Sequence, residues 1–339
     1  MRRQSNCNAL FMAGIIGLLA LVLSGWASAD TGRGTPANGY YYTVQKGDTL
    51  WDLSRRFADS PWVWPQLWTE NADAIANPHL IYPGQKIRLT RKKGAPAAAS
   101  KWEDKPLSTH VSYHYSLINQ AGFVRKEPVA PLAVIFDRRD PSRTLLAQGD
   151  IVYIKPEPGV SLRPGEQLTV YRTFEPIYDK TTREYIGVQH LLLGVLKVIE
   201  IGPNYAVGEL ARSYRPVKIS DKLMPFSPRS TNIRLEPSPA GIEGEIFEVE
   251  EPVTRFAEFH TAFINRGKAH GIRDGQLFSA FRRDETAGSR QPADRISIPV
   301  DFGELLVLHV EENTATVLMT DSDKELLTGT RIRTPLQAR

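Results

Sequence analysis

The sequence predicts an α+β protein, in which a small βααβ module is followed by a mostly-β C-terminal region that contains two similar β-modules. Tryptophans are dense near the front of the chain, where four of the six lie within residues 51–68. Beyond about residue 107, short β-branched and aromatic runs alternate with Gly and Pro, a pattern typical of strands joined by turns. Several of these runs recur about 110 residues later, which indicates an internal repeat.

Composition excludes several classes of protein. The 339 residues are 24% charged and 41% hydrophobic, and the mean hydropathy is -0.30. These values describe a water-soluble globular chain, not a disordered polyelectrolyte or a polytopic membrane protein. Lys and Arg outnumber Asp and Glu by 42 to 38, which gives a net charge of +4. This excess is too small and too dispersed for an electrostatic footprint on nucleic acid, so no nucleic-acid partner is expected.

Residues 1–29 have the order of a secretory signal peptide. Arg2 and Arg3 precede an uncharged, mostly apolar run over 9–23, and a stretch of small residues ends at Ala29, where we expect cleavage. The apolar run is shorter than the roughly 20 residues of a spanning helix, so an uncleaved membrane anchor is the weaker alternative. Twin-arginine export is disfavoured, because polar residues follow Arg2 and Arg3, whereas apolar residues follow the arginines of a twin-arginine signal. The mature form is therefore expected not to span a membrane.

The sequence contains one cysteine, Cys7, which lies before the apolar run and would leave with the signal. The mature chain would then have no thiol, which excludes disulfides, a nucleophilic cysteine and thiolate metal sites. Export without a disulfide framework fits a bacterial envelope compartment. We therefore expect a periplasmic protein.

Changes in composition divide the chain into seven predicted segments. Gly and Pro follow the signal, Ala, Pro and basic residues follow the tryptophan-rich span, and Pro and Ser cluster midway through the β-rich region. The predicted segments are a signal peptide at 1–29, a flexible lead-in at 30–39, a tryptophan-rich module at 40–90, a linker at 91–106, a first β-rich module at 107–226, a linker at 227–240 and a second β-rich module at 241–335.

A change of hydrophobic period places two short helices between two strands in the first module. The strand-like residues 42–44 lead into Thr49 and Asp52, which form a short-acid version of a capping box at the start of a helix. Apolar residues at helical spacing predict a second helix over 64–75, with a proline in its first turn. A closing strand over 86–89 completes the βααβ order.

The β-rich region carries the internal repeat. The nearly constant offset extends to the turn glycines Gly165 and Gly275, which favours a duplication over the chance similarity of unrelated strands. The corresponding segments are 152–154 and 262–264, 163–165 and 273–275, 170–172 and 280–282, and 194–198 and 303–307.

The first module resembles the LysM peptidoglycan-binding family. The resemblance rests on the strand at 42–44, the helix start at 47–51, Asn71 and the loop at 77–85, and it covers the whole module. It implies a shallow groove for glycan that contains N-acetylglucosamine, between the loop after the first strand and the loop before the last. The residues that the resemblance places in this groove are Gly47, Asp48, Thr49, Leu50, Asn77, Pro78, His79, Leu80 and Ile81.

The chemistry of the two loops fits a neutral sugar. Gly47 and the amides of a helix N-terminus offer backbone donors for an N-acetyl carbonyl, and Leu80 and Ile81 offer an apolar wall for its methyl group. Each position also has a purely structural interpretation, because residues 47–49 could be only turn and cap and Leu80 could belong to the core.

The tryptophans suggest sugar stacking, but a disulfide-free module of about fifty residues needs large aromatic side chains in its core. We therefore expect Trp51, Trp64 and Trp68 to be core residues. Trp62 is expected to be exposed and is the candidate for stacking on the glycan.

The motif variant at 47–57, together with 61–68 and 77–84, resembles the family of type IV pilus secretin-associated proteins. That family joins a LysM module to a β-rich region similar to the C-terminal domain of a flagellar ring assembly protein. Residues 149–153 fit the pattern of this β-rich region. Ser220 departs from it, because a glycine is expected at that position. The resemblance implies a periplasmic adaptor that holds peptidoglycan and accompanies an outer-membrane secretin. A free-standing peptidoglycan-binding protein is the alternative.

No catalytic residue, metal or cofactor is expected. The seven histidines include no HExxH motif, and His110 and His114 lie in a segment predicted to be extended, too far apart to share a metal. Glu248, Glu250 and Glu251 could mimic the carboxylates of a glycan-cleaving enzyme, but a short acidic run is usually a solvated edge or loop. A peptidoglycan hydrolase targeted by its LysM module is therefore the less favoured alternative.

Overall fold

A computed structural model describes residues 38–58, 60–89, 111–251, 255–285 and 297–334, all within the compact unit Pro36–Arg339. The predicted signal peptide, most of the lead-in and the predicted linker at 91–106 lie outside the described residues. Strands account for most of the regular structure in the described ranges. None of the helices described is long and apolar enough to cross a membrane.

Helices are confined to short elements in the described part of the chain, chiefly α1 (Leu50–Phe57), a 3-10 turn (Pro61–Val63) and α2 (Trp64–Thr69). The strands, in chain order, are β1 (Gly39–Thr43), β2 (Lys86–Leu89), β3 (Val111–His114), β4 (Phe123–Arg125), β5 (Ala133–Arg138), β6 (Ile151–Pro156), β7 (Gln167–Tyr178), β8 (Tyr185–Ile201), β9 (Ala206–Ser213), β10 (Lys222–Pro225), β11 (Asn232–Arg234), β12 (Glu243–Val249), β13 (Thr261–Ile264), β14 (Leu277–Glu285), β15 (Ser297–Val310), β16 (Ala315–Ser322) and β17 (Arg331–Arg333).

The first module has the predicted βααβ order, with β1 and β2 paired antiparallel and the helices between them. Its second helix is shorter than predicted, because α2 ends at Thr69. The Asn71 amide then donates to the carbonyl oxygens of Leu67 (2.7 Å) and Arg88 (2.9 Å), and its Oδ1 accepts from the Arg88 N–H (2.7 Å). This buried amide fastens the end of α2 to β2 in place of another helical turn.

Two strands from elsewhere in the chain extend the sheet of the first module. The strand order in this sheet is β11-β3-β1-β2. Strand β11 lies within 227–240, which the sequence predicts to be a linker, and β3 lies within the predicted first β-rich module at 107–226. The predicted boundaries therefore cut across a sheet, because strand pairs so far apart in the chain leave no local signal.

Six further strands close into a ring, which we call the first barrel. Its order is β8-β7-β10-β5-β6-β9, and β9 pairs back to β8. The short strand β4 pairs antiparallel with residues 188–190 of β8. Apolar side chains from all six strands fill the interior, among them Ile135, Leu168 and Leu193, each fully buried.

The remaining strands form a second closed barrel, with the order β12-β13-β16-β15-β14-β17. If β5–β10 are matched one by one to β12–β17, every neighbouring pair in the first barrel has its counterpart in the second. Turn geometry follows the same correspondence, since Gly165 and Gly275 both have φ of 86°. Ser220 adopts a left-handed φ of 75°, and the matching residue, Gly329, has φ of 95°. The turn at Ser220 thus forms without the expected glycine at the cost of a strained backbone.

The first module and the second barrel share one apolar core. Tyr40 from β1 packs edge-on against Tyr113 from β3, with 4.8 Å between ring centroids. Leu306 and Leu318 of the second barrel belong to the same buried cluster. Tyr40 also donates its hydroxyl to the carboxylate of Glu304 in β15. These contacts attach the sheet of the first module to the second barrel.

Candidate functional site

Asp48 holds the loop after β1 in a tight turn. Its Oδ2 accepts hydrogen bonds from the Gln45 N–H and the Tyr42 hydroxyl, each at 2.7 Å. Burial, with the hydrogen bond to Asp48, raises the pKa of Tyr42 to about 12, so the phenol remains a donor. Gly47 is exposed at φ of 91°, a conformation that favours glycine. The Asp48 carboxylate therefore serves the turn, and Gly47 presents bare backbone to solvent.

The next two residues begin α1. Thr49 Oγ1 accepts from the Asp52 N–H at 3.1 Å and donates to the Asp52 carboxylate at 2.8 Å, which is the predicted cap. Leu50 is 3% exposed and belongs to the core. Its side chain therefore does not line a groove, and any contact it makes with a ligand is limited to its backbone.

The loop before β2 begins as a compact turn. Asn77 Oδ1 accepts from the His79 N–H at 3.0 Å, and the Leu80 N–H donates to the Asn77 carbonyl at the same distance. Leu80 is 53% exposed, whereas Ile81 is half-buried against the core of the module. Pro78 is also half-buried. The loop thus offers Leu80 as its free apolar side chain, with Ile81 anchoring it.

Backbone hydrogen bonds hold the two loops side by side. The Val44 N–H donates to the Gln85 carbonyl at 2.8 Å, and the Gly84 N–H donates to the Val44 carbonyl at 2.9 Å. The Gln85 side chain accepts from the Tyr82 N–H at 3.1 Å and donates to the Ala74 carbonyl at 2.7 Å. These hydrogen bonds join the chain just before residues 47–50 to the chain a few residues after 77–81, at the end of the sheet where β1 meets β2.

Exposed aromatic rings border these loops. Trp62 is 76% exposed, as expected, and packs edge-on against Trp51, with 4.8 Å between ring centroids. Trp51 is itself 39% exposed, so its prediction as a core residue is wrong. Trp64 and Trp68 are half-buried against the core. Tyr82, which is not among the predicted groove residues, is 62% exposed in the second loop; its position directly after Ile81 is the signal that indicates it.

The acidic run at 248–251 is not wholly solvated. Glu250 is 4% exposed; one carboxylate oxygen accepts from the Gly122 N–H at 2.8 Å, and the other accepts from the Thr261 hydroxyl. Arg215 lies 3.6 Å away. Burial raises the pKa of Glu250 against the opposing effect of Arg215. The prediction of a solvated edge is therefore wrong for Glu250, whose hydrogen bonds join distant parts of the chain.

His114 lies in the extended strand β3, with Nδ1 3.1 Å from Asn232 Oδ1 on β11, and His110 lies outside the described residues. Among the residues that the structure describes, no group of three or more His, Cys, Asp or Glu side chains is placed to hold a metal ion.

At this end of the βααβ fold, the paired loops therefore lie beside exposed apolar and aromatic side chains. A family model for the LysM domain matches residues 42–90. The chain is also 42% identical over 57 residues to the uncharacterized protein YqbP of Bacillus subtilis (strain 168), a match that covers 14% of this chain and 26% of that protein. Residues 42–90 are therefore a LysM domain, which implies binding of peptidoglycan or a related glycan.

Proposed function

We propose that this protein is a non-catalytic, periplasmic adaptor that binds peptidoglycan through residues 42–90 and attaches a type IV pilus secretin complex to the cell wall. The observation that supports glycan binding is the LysM domain, whose two loops are fastened to each other through Val44. The exported location is supported by the signal-like pattern at 1–29, and the secretin by the resemblance of the motif variant.

Five of the predicted groove residues fall into two groups, those that hold the loops in shape and those that face solvent. Asp48, Thr49 and Asn77 use their side-chain oxygens to hold the loops in shape. Gly47 and Leu80 face solvent, and we propose that they contact the glycan, through the backbone and the apolar side chain respectively. A neutral sugar needs donors and shape complementarity, which this combination supplies.

Many copies of the protein would together attach the complex firmly to the cell wall, even if each copy binds glycan weakly. A shallow groove on one module binds with an affinity of about mM to tens of µM. Many copies arranged around an oligomeric secretin would gain roughly 10²- to 10⁴-fold in avidity. The two β-barrels, which have matching strand orders, offer the surface for that assembly, and we infer that they arose by duplication of one β-module.

The test is sedimentation of the full exported chain with purified peptidoglycan sacculi. Leu80→Asp is expected to reduce binding at least tenfold, because it places a charge against the apolar part of the sugar. Leu145→Asp is the matched control, since Leu145 is 52% exposed and Leu80 is 53% exposed. Failure of the wild-type chain to sediment with sacculi would refute glycan binding.

Two further measurements separate the alternatives. Crosslinking in cells followed by purification of the secretin distinguishes an adaptor, which co-purifies, from a free-standing wall-binding protein, which does not. Zymography on sacculi addresses catalysis: we expect no clearing, and a clearing band would establish a peptidoglycan hydrolase instead.

A further inference from the structure

The two barrels carry an aromatic residue at the same irregularity. Pairing between β5 and β6 shifts register between Ile135 and Asp137, which leaves Phe136 as the extra residue of a bulge. Pairing between β12 and β13 shifts between Ile246 and Glu248, which leaves Phe247 in the matching place. Ile135 and Ile246, which precede them, are buried in the interiors of the two barrels, so the alternation of side chains along a strand places both phenylalanines on the outer face.

Each phenylalanine has an aromatic neighbour on the adjoining strand. Phe136 lies 6.3 Å from Tyr153, and Phe247 lies 6.4 Å from Phe263, measured between ring centroids. Tyr153 and Phe263 correspond in the two barrels, since Tyr153 pairs with Asp137 and Phe263 pairs with Glu248. Each barrel thus carries a pair of aromatic side chains at matching positions on its outer face.

In the second barrel a β-hairpin covers this pair. Phe247 is 7% exposed and Phe263 is fully buried, because Ile177 and Ile186, near the tip of the β7–β8 hairpin, pack against them together with Val124. Lys180 at the turn of the hairpin donates to the Thr328 hydroxyl at 2.8 Å. The hairpin of the first barrel therefore closes over the aromatic pair of the second.

In the first barrel the same pair is open. Phe136 is 46% exposed and Tyr153 is half-buried. The apolar surface continues beyond them to Tyr205, which is 41% exposed and whose ring lies 6.0 Å from that of Tyr153. We call Phe136, Tyr153 and Tyr205 the open aromatic patch. Contiguous exposed aromatics of this kind are typical of protein interaction surfaces.

We propose that the open aromatic patch is a docking site for a β-hairpin of a partner protein that carries two aliphatic side chains near its turn. The occupant is inferred from the second barrel, where the matching surface is filled by Ile177 and Ile186 on such a hairpin. Aromatic rings buried under aliphatic side chains dominate the energy of many interfaces. This inference does not depend on glycan binding by residues 42–90.

The chain's own hairpin supplies the probe. A head-to-tail cyclised peptide of residues 173–190 is titrated into the full exported chain, and binding is followed by calorimetry. We expect saturable binding that weakens at least tenfold in Phe136→Glu and in Tyr205→Asp, and that is lost when the peptide carries Ile177→Asp and Ile186→Asp.

Leu117→Glu is the matched control, because Leu117 is 44% exposed and lies outside both the patch and the hairpin, and it should leave the affinity unchanged. Thermal unfolding establishes that each variant is folded; the use of two substitutions at separate exposed positions guards against a folding defect in one. Absence of saturable binding to the wild-type chain, or wild-type affinity in both patch variants, would overturn the proposal. Sedimentation equilibrium adds a second criterion, since wild-type self-association that Phe136→Glu abolishes would make the occupant a second copy of this chain and refute the partner hairpin.

Discussion

Arg125 and Glu311 form an ion pair with two contacts, from Arg125 Nε to Glu311 Oε2 and from Arg125 Nη2 to Glu311 Oε1, each 3.0 Å long. Arg125 lies on β4, which is added to the first barrel, and Glu311 follows β15 of the second. His309 Nε2 lies 2.9 Å from the same carboxylate. The pair therefore joins the two barrels.

Arg125→Ala is expected to lower the free energy of unfolding by about 1 kcal/mol. The loss is smaller than for a fully buried pair, because the Arg125 side chain is 45% exposed.

The same ion pair should make stability depend on pH. Burial would raise the pKa of Glu311, but hydrogen bonds from His309 and Arg125 outweigh it and lower the pKa to about 2. The stabilisation should thus be present above about pH 4.5 and disappear as pH falls towards 2. Urea unfolding at several pH values tests this, and Arg255→Ala, which breaks an exposed pair with Glu325, should have almost no effect.

A buried histidine should make the protein sensitive to mild acid. His190 Nε2 accepts from the Val129 N–H at 3.0 Å, and Nδ1 lies 3.0 Å from the Val188 carbonyl, an arrangement that suits the neutral ring. Burial is the main cause that lowers the pKa of His190 to about 4. The unfolded chain binds a proton more readily, so stability should fall as pH drops from about 6.5 to about 4.

The measurement for His190 is the free energy of unfolding between pH 7 and 4, compared with a His190→Gln variant. The variant should be less stable at pH 7 and should have a smaller slope between pH 6.5 and 4. An identical slope in both proteins would show that His190 is not the group responsible.

Two matched glycines should respond differently to alanine. Gly165 and Gly275 both have φ of 86°, but a Cβ on Gly165 would meet nothing within 4 Å, whereas a Cβ on Gly275 would lie 2.0 Å from the Arg234 carbonyl. Gly165→Ala should cost about 1 kcal/mol for the left-handed backbone, and Gly275→Ala about 3 kcal/mol or more. Thermal or urea unfolding would detect this difference, and equal losses would contradict it.

Trp62→Ala should weaken binding to sacculi with little change in the melting temperature, because the ring is 76% exposed. Trp51 contacts Trp62 edge-on, so Trp51→Ala should also reduce binding by releasing that ring. Sedimentation with sacculi measures the binding of both variants, and scanning calorimetry measures their melting temperatures. Unchanged binding in Trp62→Ala would remove stacking from the proposed function.

Local chemistry predicted the first module well and long-range contacts poorly. The cap at Thr49 and the strand over 86–89 depend on residues close in the chain, and they were predictable from it. The burial of Glu250 was not, because its partner Gly122 is 128 residues away. The size of Trp51 predicts a core position, whereas its place on α1 leaves it at the surface.

The sheet order β11-β3-β1-β2 has a mechanical consequence. Strand β1 of the LysM domain is hydrogen-bonded to β3 from Gly39 to Tyr42, and β3 is in turn bonded to β11. Tension between a wall-bound LysM domain and the barrels would therefore load these backbone ladders directly, rather than only the chain between β2 and β3. We therefore expect the LysM domain to rotate little relative to the barrels and to transmit force to them through the sheet.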